Sequence, residues 1–213
     1  ILAGGQGSRL QGHGGQGPKS MALLAGKPEL EYQVEMAKRA GCTPITMLTG
    51  HQAEAIEAYF QDGRRWGVQI SYHRDTAALG TASSVKALEG QLVEAFVVFY
   101  GDLMMDLDLQ ALVRAHRPDA IATLVAHPND HPFDSDLIEV DGDARIVAFH
   151  RPPHGTGEYR NLVNAGVYVL SPRILAHIPT DRASDFGREV FPAALEAGER
   201  LQAYRTTEYV RDI

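Results

Sequence analysis

The sequence predicts a Rossmann-like α/β fold, a mixed, mostly parallel sheet covered by helices. Three observations carry that expectation. Apolar runs of strand length alternate with stretches of helical spacing, the pattern of βαβ units. A short apolar segment, Ile1-Leu2-Ala3, runs straight into the glycine-rich stretch Gly4-Gly5-Gln6-Gly7-Ser8-Arg9-Leu10. The most apolar run, Ala95-Phe96-Val97-Val98-Phe99, has the character of a strand buried on both faces. Ligands on such sheets sit at the carboxyl ends of strands.

Beyond the glycine-rich loop, Leu30, Val34 and Ala37 recur at helical spacing, and Gly41 is the stop. Pro44 to Thr49 reads as a buried strand. Gln52 to Gln61 reads as a helix with Ile56 and Phe60 turned inward, and Val68 to His73 as an alternating strand. A Gly-Thr turn opens a helix over Thr81 to Leu88. After the apolar strand at 95–99, the stretch with Asp106 and Asp108 reads as a loop, with Asp108 as N-cap of a helix over Leu107 to His116. Ala120 to Ala126 is a further strand. Leu137 to Val140 and Arg145 to Phe149, joined by Asp141-Gly142-Asp143, form a hairpin. Val163 to Leu170 is a strand, and Phe186 to Ala197 a helix broken near Pro192.

The chemistry gathers at the first loop. Glycines allow backbone N–H groups to approach a polyanion closely. Arg9, and Lys19 in Pro18-Lys19-Ser20-Met21, supply charge for several phosphate oxygens. The stretch reads as a nucleoside triphosphate site. It is not a Walker A loop, because Pro18 separates Gly17 from Lys19. Gly12-His13-Gly14-Gly15-Gln16-Gly17 matches G-x-G-x-x-G, but it lies past the strand and Pro18 closes it before any helix, so the match is weak. Protein-kinase signatures are absent.

Composition narrows the classes. Apolar content of 44% and charged content of 22% describe an ordinary globular chain with a substantial core. A net charge of −7 argues against a nucleic-acid surface, although a local basic loop can still take phosphate. Cys42 is the only cysteine, so there is no internal disulfide, and a cytoplasmic setting fits. No apolar run reaches the ~18 residues of a spanning helix, and no signal peptide is seen. His127 and His131 have a metal-like spacing, but Pro128 and Pro132 forbid a regular helix through them. They read as loop residues, without a zinc site, in a His127–Asp136 loop near the acceptor side.

Leu2-Ala3-Gly4-Gly5-Gln6-Gly7-Ser8-Arg9-Leu10, a seven-residue spacer from Gln11 to Gly17, and Pro18-Lys19-Ser20-Met21 together resemble the sugar-phosphate nucleotidyltransferases. Within them the chain is most similar to mannose- and heptose-1-phosphate guanylyltransferases. The spacer lacks the P-x-T of many members and is glycine-rich instead. The resemblance implies a three-layer sandwich of the nucleotide-diphospho-sugar transferase type. It implies nucleotide contacts at Leu2, Ala3, Gly4, Gly5, Gly7, Ser8 and Arg9, and beside the nucleobase at Gly80 and Thr81. Tyr100-Gly101-Asp102 resembles the family's strand-Gly-Asp, whose Asp takes the metal. Asp102 and Asp212, the latter from a closing Asp-Ile, are therefore the implied Mg²⁺ ligands. Asn164-Ala165-Gly166-Val167-Tyr168 looks like the strand beside the sugar, which makes Asn164 and Gly166 sugar contacts. Where many members have E-K-P this chain has His150-Arg151-Pro152, so Arg151 keeps the charge near the sugar phosphate while His150 does not replace the carboxylate.

The implied reaction joins a nucleoside triphosphate, GTP by overall similarity, to a sugar 1-phosphate with loss of pyrophosphate. Arg9 would hold the β- and γ-phosphates, and Lys19 would bridge the α-phosphate and the incoming phosphate. Two other classes stay open: a nucleotide-sensing regulatory subunit without catalysis, and cytidylyl transfer to a non-sugar phosphate such as phosphocholine. The chain reads as one domain over residues 1–213, opening without Met inside a strand and closing mid-pattern. A fragment of a longer protein is expected, with Gly-Thr-Pro after Ile213. A fused C-terminal domain would suit it, as in relatives joined to a sugar phosphatase.

Overall fold

The computed structural model describes residues 1–5, 18–75, 77 and 79–212, the last through its backbone alone. A short hairpin of β1 (Leu23–Leu24) and β2 (Lys27–Pro28) leads into α1 (Glu29–Arg39). Glu29 and Glu31 in its first turn, and Lys38 and Arg39 in its last, match the helix dipole. Gly41, with φ of +73°, follows the helix end as expected. Next come β3 (Ile45–Thr49), α2 (Ala53–Phe60) and β4 (Ile70–Arg74), and then α3 (Thr81–Lys86) and β5 (Phe96–Phe99).

The stretch after β5 differs from the loop expected there. Leu103–Asp106 is a strand, β6, and it pairs antiparallel with the last strand, β12 (Tyr209–Asp212). A four-residue segment as mixed as Leu-Met-Met-Asp carries no period of its own, and its partner lies at the other end of the chain. Asp108 does cap the following helix α4 (Leu109–Ala115), accepting from the Ala111 N–H at 2.8 Å. Then follow β7 (Ala122–His127), the hairpin β8 (Leu137–Val140) and β9 (Ile146–His150), and β10 (Val163–Leu170). The expected break at Pro192 is found. A π-helical turn over Phe186–Val190 gives way to α5 (Phe191–Glu196), with the proline in the first turn of α5, where a missing N–H costs nothing. Strand β11 (Leu201–Arg205) was not anticipated.

Residues 1–3 join the sheet into one layer. Leu2 bridges in parallel to Leu48 of β3 on one side and to Tyr100, just beyond β5, on the other. Its N–H donates to the Phe99 carbonyl at 3.0 Å, and the Ala3 N–H to the Leu48 carbonyl at 2.8 Å. The order across the sheet is β4, β3, residues 1–3, β5, β10, β7, β11, with β8 and β9 attached to β10 at Leu137. Among these central strands β10 runs against the rest, so the sheet is mixed and mostly parallel.

Alternation along the strands sorts side chains onto two faces. Ile1, Ala3, Ile45, Met47, Phe99, Val167 and Val169 pack with Leu30, Val34, Ile56, Phe60, Leu109 and Leu112 from α1, α2 and α4. Leu48, Val98, Leu124, Tyr168 and Leu170 pack on the other face with Ala82, Val85, Phe186, Phe191 and Ala194. The result is a sheet between two helical layers, with both faces dry. Among the described residues no helix is long and apolar enough to cross a membrane.

Candidate active site

The strand order reverses between residues 1–3 and β5, which makes their carboxyl ends the topological switch point where such sheets take ligands. A cleft of ≈ 1410 Å³ opens there. Its lining includes Leu2, Ala3, Gly4 and Gly5 from the first strand, and Gly50 and Asp75 from beyond β3 and β4. It also includes Gly80 and Thr81 at the head of α3, Asp102 beyond β5, Lys19, and Asn164 and Gly166 of β10. Residues 127–131 and 134–136 form a further wall, although His127, expected in a loop, is the last residue of β7.

The Lys19 Nζ donates to Asp102 Oδ2 at 3.0 Å. Lys19 sits in a 3₁₀ turn that packs against α1, and its side chain is largely buried, whereas the Asp102 side chain is 38% exposed. Gln33 fixes the turn that carries Asp102. Its Nε2 donates to the carbonyls of Tyr100 and Leu103, both at 2.9 Å. Beneath the pair lies Glu29, with zero exposure and with neither carboxylate oxygen hydrogen-bonded among the described residues. Burial, reinforced by the Asp102 charge and opposed by Lys19, pushes its pKa up to about 7. Nothing in the sequence pattern separates Gln33 and Glu29 from ordinary polar residues of a helix.

The head of α3 is tied to residues 184–187. Gly80 has φ of +80°, and a Cβ there would stand 2.4 Å from the Ser184 carbonyl oxygen, so only glycine fits. The Thr81 hydroxyl donates to Asp185 Oδ2 at 2.6 Å, and Asp185 Oδ1 accepts from the N–H groups of Gly187 and Arg188. Tyr100 donates to Thr81 at 3.4 Å, and burial pushes its phenol up to about 12. Asp75 follows β4, with its side chain about nine-tenths buried. One oxygen accepts from the Ser84 hydroxyl, and Oδ1 has no hydrogen-bond partner among the described residues, with His73 Nε2 at 3.7 Å. Asp75 could have been found by the rule that singled out Asp102, a carboxylate directly past a strand.

Other expected residues are placed less directly. Gly7, Ser8 and Arg9 lie outside the described residues, as does the side chain of Asp212. The Asp212 backbone pairs with Leu103, one residue from Asp102, through the β6–β12 ladder. Gly166 has φ of +74° and lies against the Tyr100 ring, which a Cβ would meet at 3.2 Å. Arg151 is exposed and is not among the cleft-lining residues. Its Nη2 reaches the carbonyl of Gly187, which is, at 3.5 Å. His150 turns to Glu139, 3.1 Å away.

A family model described as nucleotidyl transferase matches residues 1–213. A UTP–glucose-1-phosphate uridylyltransferase of Synechocystis sp. is 32% identical over 213 residues, covering 93% of this chain and 55% of that protein. A mannose-1-phosphate guanylyltransferase of Mycobacterium tuberculosis is 32% identical over 222 residues, covering 100% of this chain and 60% of its own length. The chain thus spans little more than half of the curated relatives it matches. HddC from Yersinia pseudotuberculosis, crystallised with GMP-PN, superposes with a TM-score of 0.81 at 23% identity, covering 100% of this chain and 91% of that one. That likeness bears on the fold.

Proposed function

The chain belongs to the nucleotidyl transferase family, and from that premise we propose that it moves a nucleotidyl group from a nucleoside triphosphate to a sugar 1-phosphate. The observation that carries the reading is the Lys19–Asp102 pair, set at the switch point of the sheet beside Gly4 and Gly5. A sugar-phosphate oxygen attacks the α-phosphorus, the bond from that phosphorus to the oxygen bridging the β-phosphate breaks, and pyrophosphate leaves with the electron pair. Two polyanions must meet, so the protein's task is positioning and charge neutralisation. Lys19 would contact the α-phosphate and the incoming phosphate, and Arg9 the departing pyrophosphate. The N–H groups of the strand–loop turn at Gly4 and Gly5 would approach the phosphates. Asn164 and Gly166 would border the sugar, and Arg151 would reach its phosphate from the rim.

A divalent cation suits the donors present. Mg²⁺ takes one or two carboxylates and fills its remaining positions with phosphate oxygens and water. Asp102 already faces a cation, and the β6–β12 ladder pairs the Asp212 backbone with Leu103, the residue after Asp102. These two residues would hold Mg²⁺, which when bound supplies charge neutralisation to the triphosphate.

GTP is the donor in this reading, and Asp75 supports it. A buried carboxylate with one oxygen unpartnered among the described residues suits adjacent donors, and guanine offers N1–H and the N2 amino group side by side. A cytoplasmic setting is part of the reading, supported by the single, unpaired Cys42. The test is a panel of nucleoside triphosphates against sugar 1-phosphates and phosphocholine, read by pyrophosphate release. Release with GTP and a hexose or heptose 1-phosphate is expected. Nucleotide binding without release, or release with CTP and phosphocholine alone, would overturn the reading.

A further inference from the structure

We propose that Asp136 determines which acceptors enter: its carboxylate accepts hydrogen bonds from hydroxyls of an uncharged sugar 1-phosphate and excludes sugars that carry a carboxylate. The inference rests on the sugar 1-phosphate reading above. Strand β8 meets β10 at Leu137 and Val163, and the Asn164 N–H donates to the Asp136 carbonyl at 3.1 Å. The two residues are therefore held side by side at the β10 end of the cleft, and both line it. Gly187 faces them. A Cβ on Gly187 would stand 3.3 Å from Asn164 Nδ2 and 3.7 Å from Asp136 Oδ2. The missing side chain leaves a recess bounded by one amide and two carboxylates, the second being Asp185, whose Oδ1 would also stand 3.7 Å from that Cβ.

That donor set has a definite chemistry. An ionised carboxylate only accepts, and its two oxygens suit two hydroxyl protons, while the amide can both donate and accept. The Asp136 carboxylate has no partner among the described residues, whereas Asp185 beside it is occupied by Thr81, Gly187 and Arg188. A uronic acid would set a further carboxylate against Asp136 and Asp185. Like charges brought together in a partly dewatered cleft reject that ligand more strongly than lost contacts alone.

The experiment compares wild type, Asp136→Asn and Asp136→Ala with GTP and three acceptors: mannose 1-phosphate, glucose 1-phosphate and glucuronic acid 1-phosphate. In wild type the better hexose should exceed the uronate by roughly a hundredfold in kcat/KM, and Asp136→Asn should shrink that ratio about tenfold or more. The change should fall on the KM for sugar, with the KM for GTP unmoved, which a general loss of structure would not produce. An unchanged ratio and sugar KM in both variants, or a wild type that takes the uronate as readily as the hexose, would overturn the proposal alone. Failure of wild type to use any sugar 1-phosphate while it still binds GTP would remove the reading and the proposal together.

Discussion

Lys19 and Asp102, 83 residues apart in the chain, meet at 3.0 Å in the cleft, and the turn bearing the aspartate is clamped by Gln33. The pair places one positive and one negative group where a triphosphate and its counter-cation would arrive. Lys19→Ala is expected to lower turnover at least ~100-fold, about 3 kcal/mol of transition-state stabilisation, by analogy with the loss of one oxyanion donor. Pyrophosphate release measures turnover, and circular dichroism checks the fold. Near-normal turnover would end the role given to Lys19.

Gln33 makes both of its amide hydrogen bonds to backbone carbonyls in a dry setting. Gln33→Leu leaves the Tyr100 and Leu103 carbonyls without that donor, at a cost of about 1–3 kcal/mol. Urea denaturation reads the stability. Activity should fall further than stability predicts, because the turn positions Asp102. A variant as stable and as active as wild type would show that the clamp is dispensable.

Glu29 gives stability a pH dependence of known sign. Its pKa rises from 4.5 to about 7 on folding. Below 4.5 both states are protonated and the group contributes nothing. Between 4.5 and 7 the unfolded chain ionises first and stability falls, and above 7 the full penalty, on the order of 3 kcal/mol, is present. Glu29→Gln should therefore be more stable than wild type at about pH 8 and similar near pH 4.5. Equal denaturation midpoints at both pH values would contradict this.

Asp75→Asn tests the base. The amide presents a donor where the carboxylate presents only acceptors, so in the proposed GTP complex guanine's N1–H and N2 amino group would lose a charged partner. The GTP kcat/KM should fall roughly 10- to 100-fold, with a smaller loss for UTP. Equal losses across all four triphosphates would point to a structural role for the Ser84–Asp75 contact instead.

Gly80→Ala probes the contact between the head of α3 and Ser184. A methyl group 2.4 Å from a carbonyl oxygen, at φ of +80°, forces the backbone to move. A loss of about 1–3 kcal/mol is expected, with thermal unfolding as the readout. A variant with unchanged melting would mean that the 184–187 segment yields freely.

Much of the sheet was legible because its strands and helices carry their own periods. Ile56 and Phe60 point inward as their spacing requires, Gly41 follows α1, and Asp108 caps α4. The strand–Gly-Asp turn at Asp102 and the first glycines were legible because backbone chemistry demands those residue types at those points. Strands β6 and β12 were not, since four mixed residues form a strand only when a distant partner completes their hydrogen bonds.

By itself the chain's order of residues determined the α/β class, the family and the identity of its charged groups, because these follow from local pattern and from short-range backbone constraints. Only the tertiary structure decided that Asp102 is matched to Lys19, that Glu29 is buried without a hydrogen-bond partner among the described residues, and that Asp75, Asp136 and Asp185 share one cleft. Burial, charge coupling and convergence depend on which segments the sheet brings together across many residues, and no periodicity in a single chain encodes those distances.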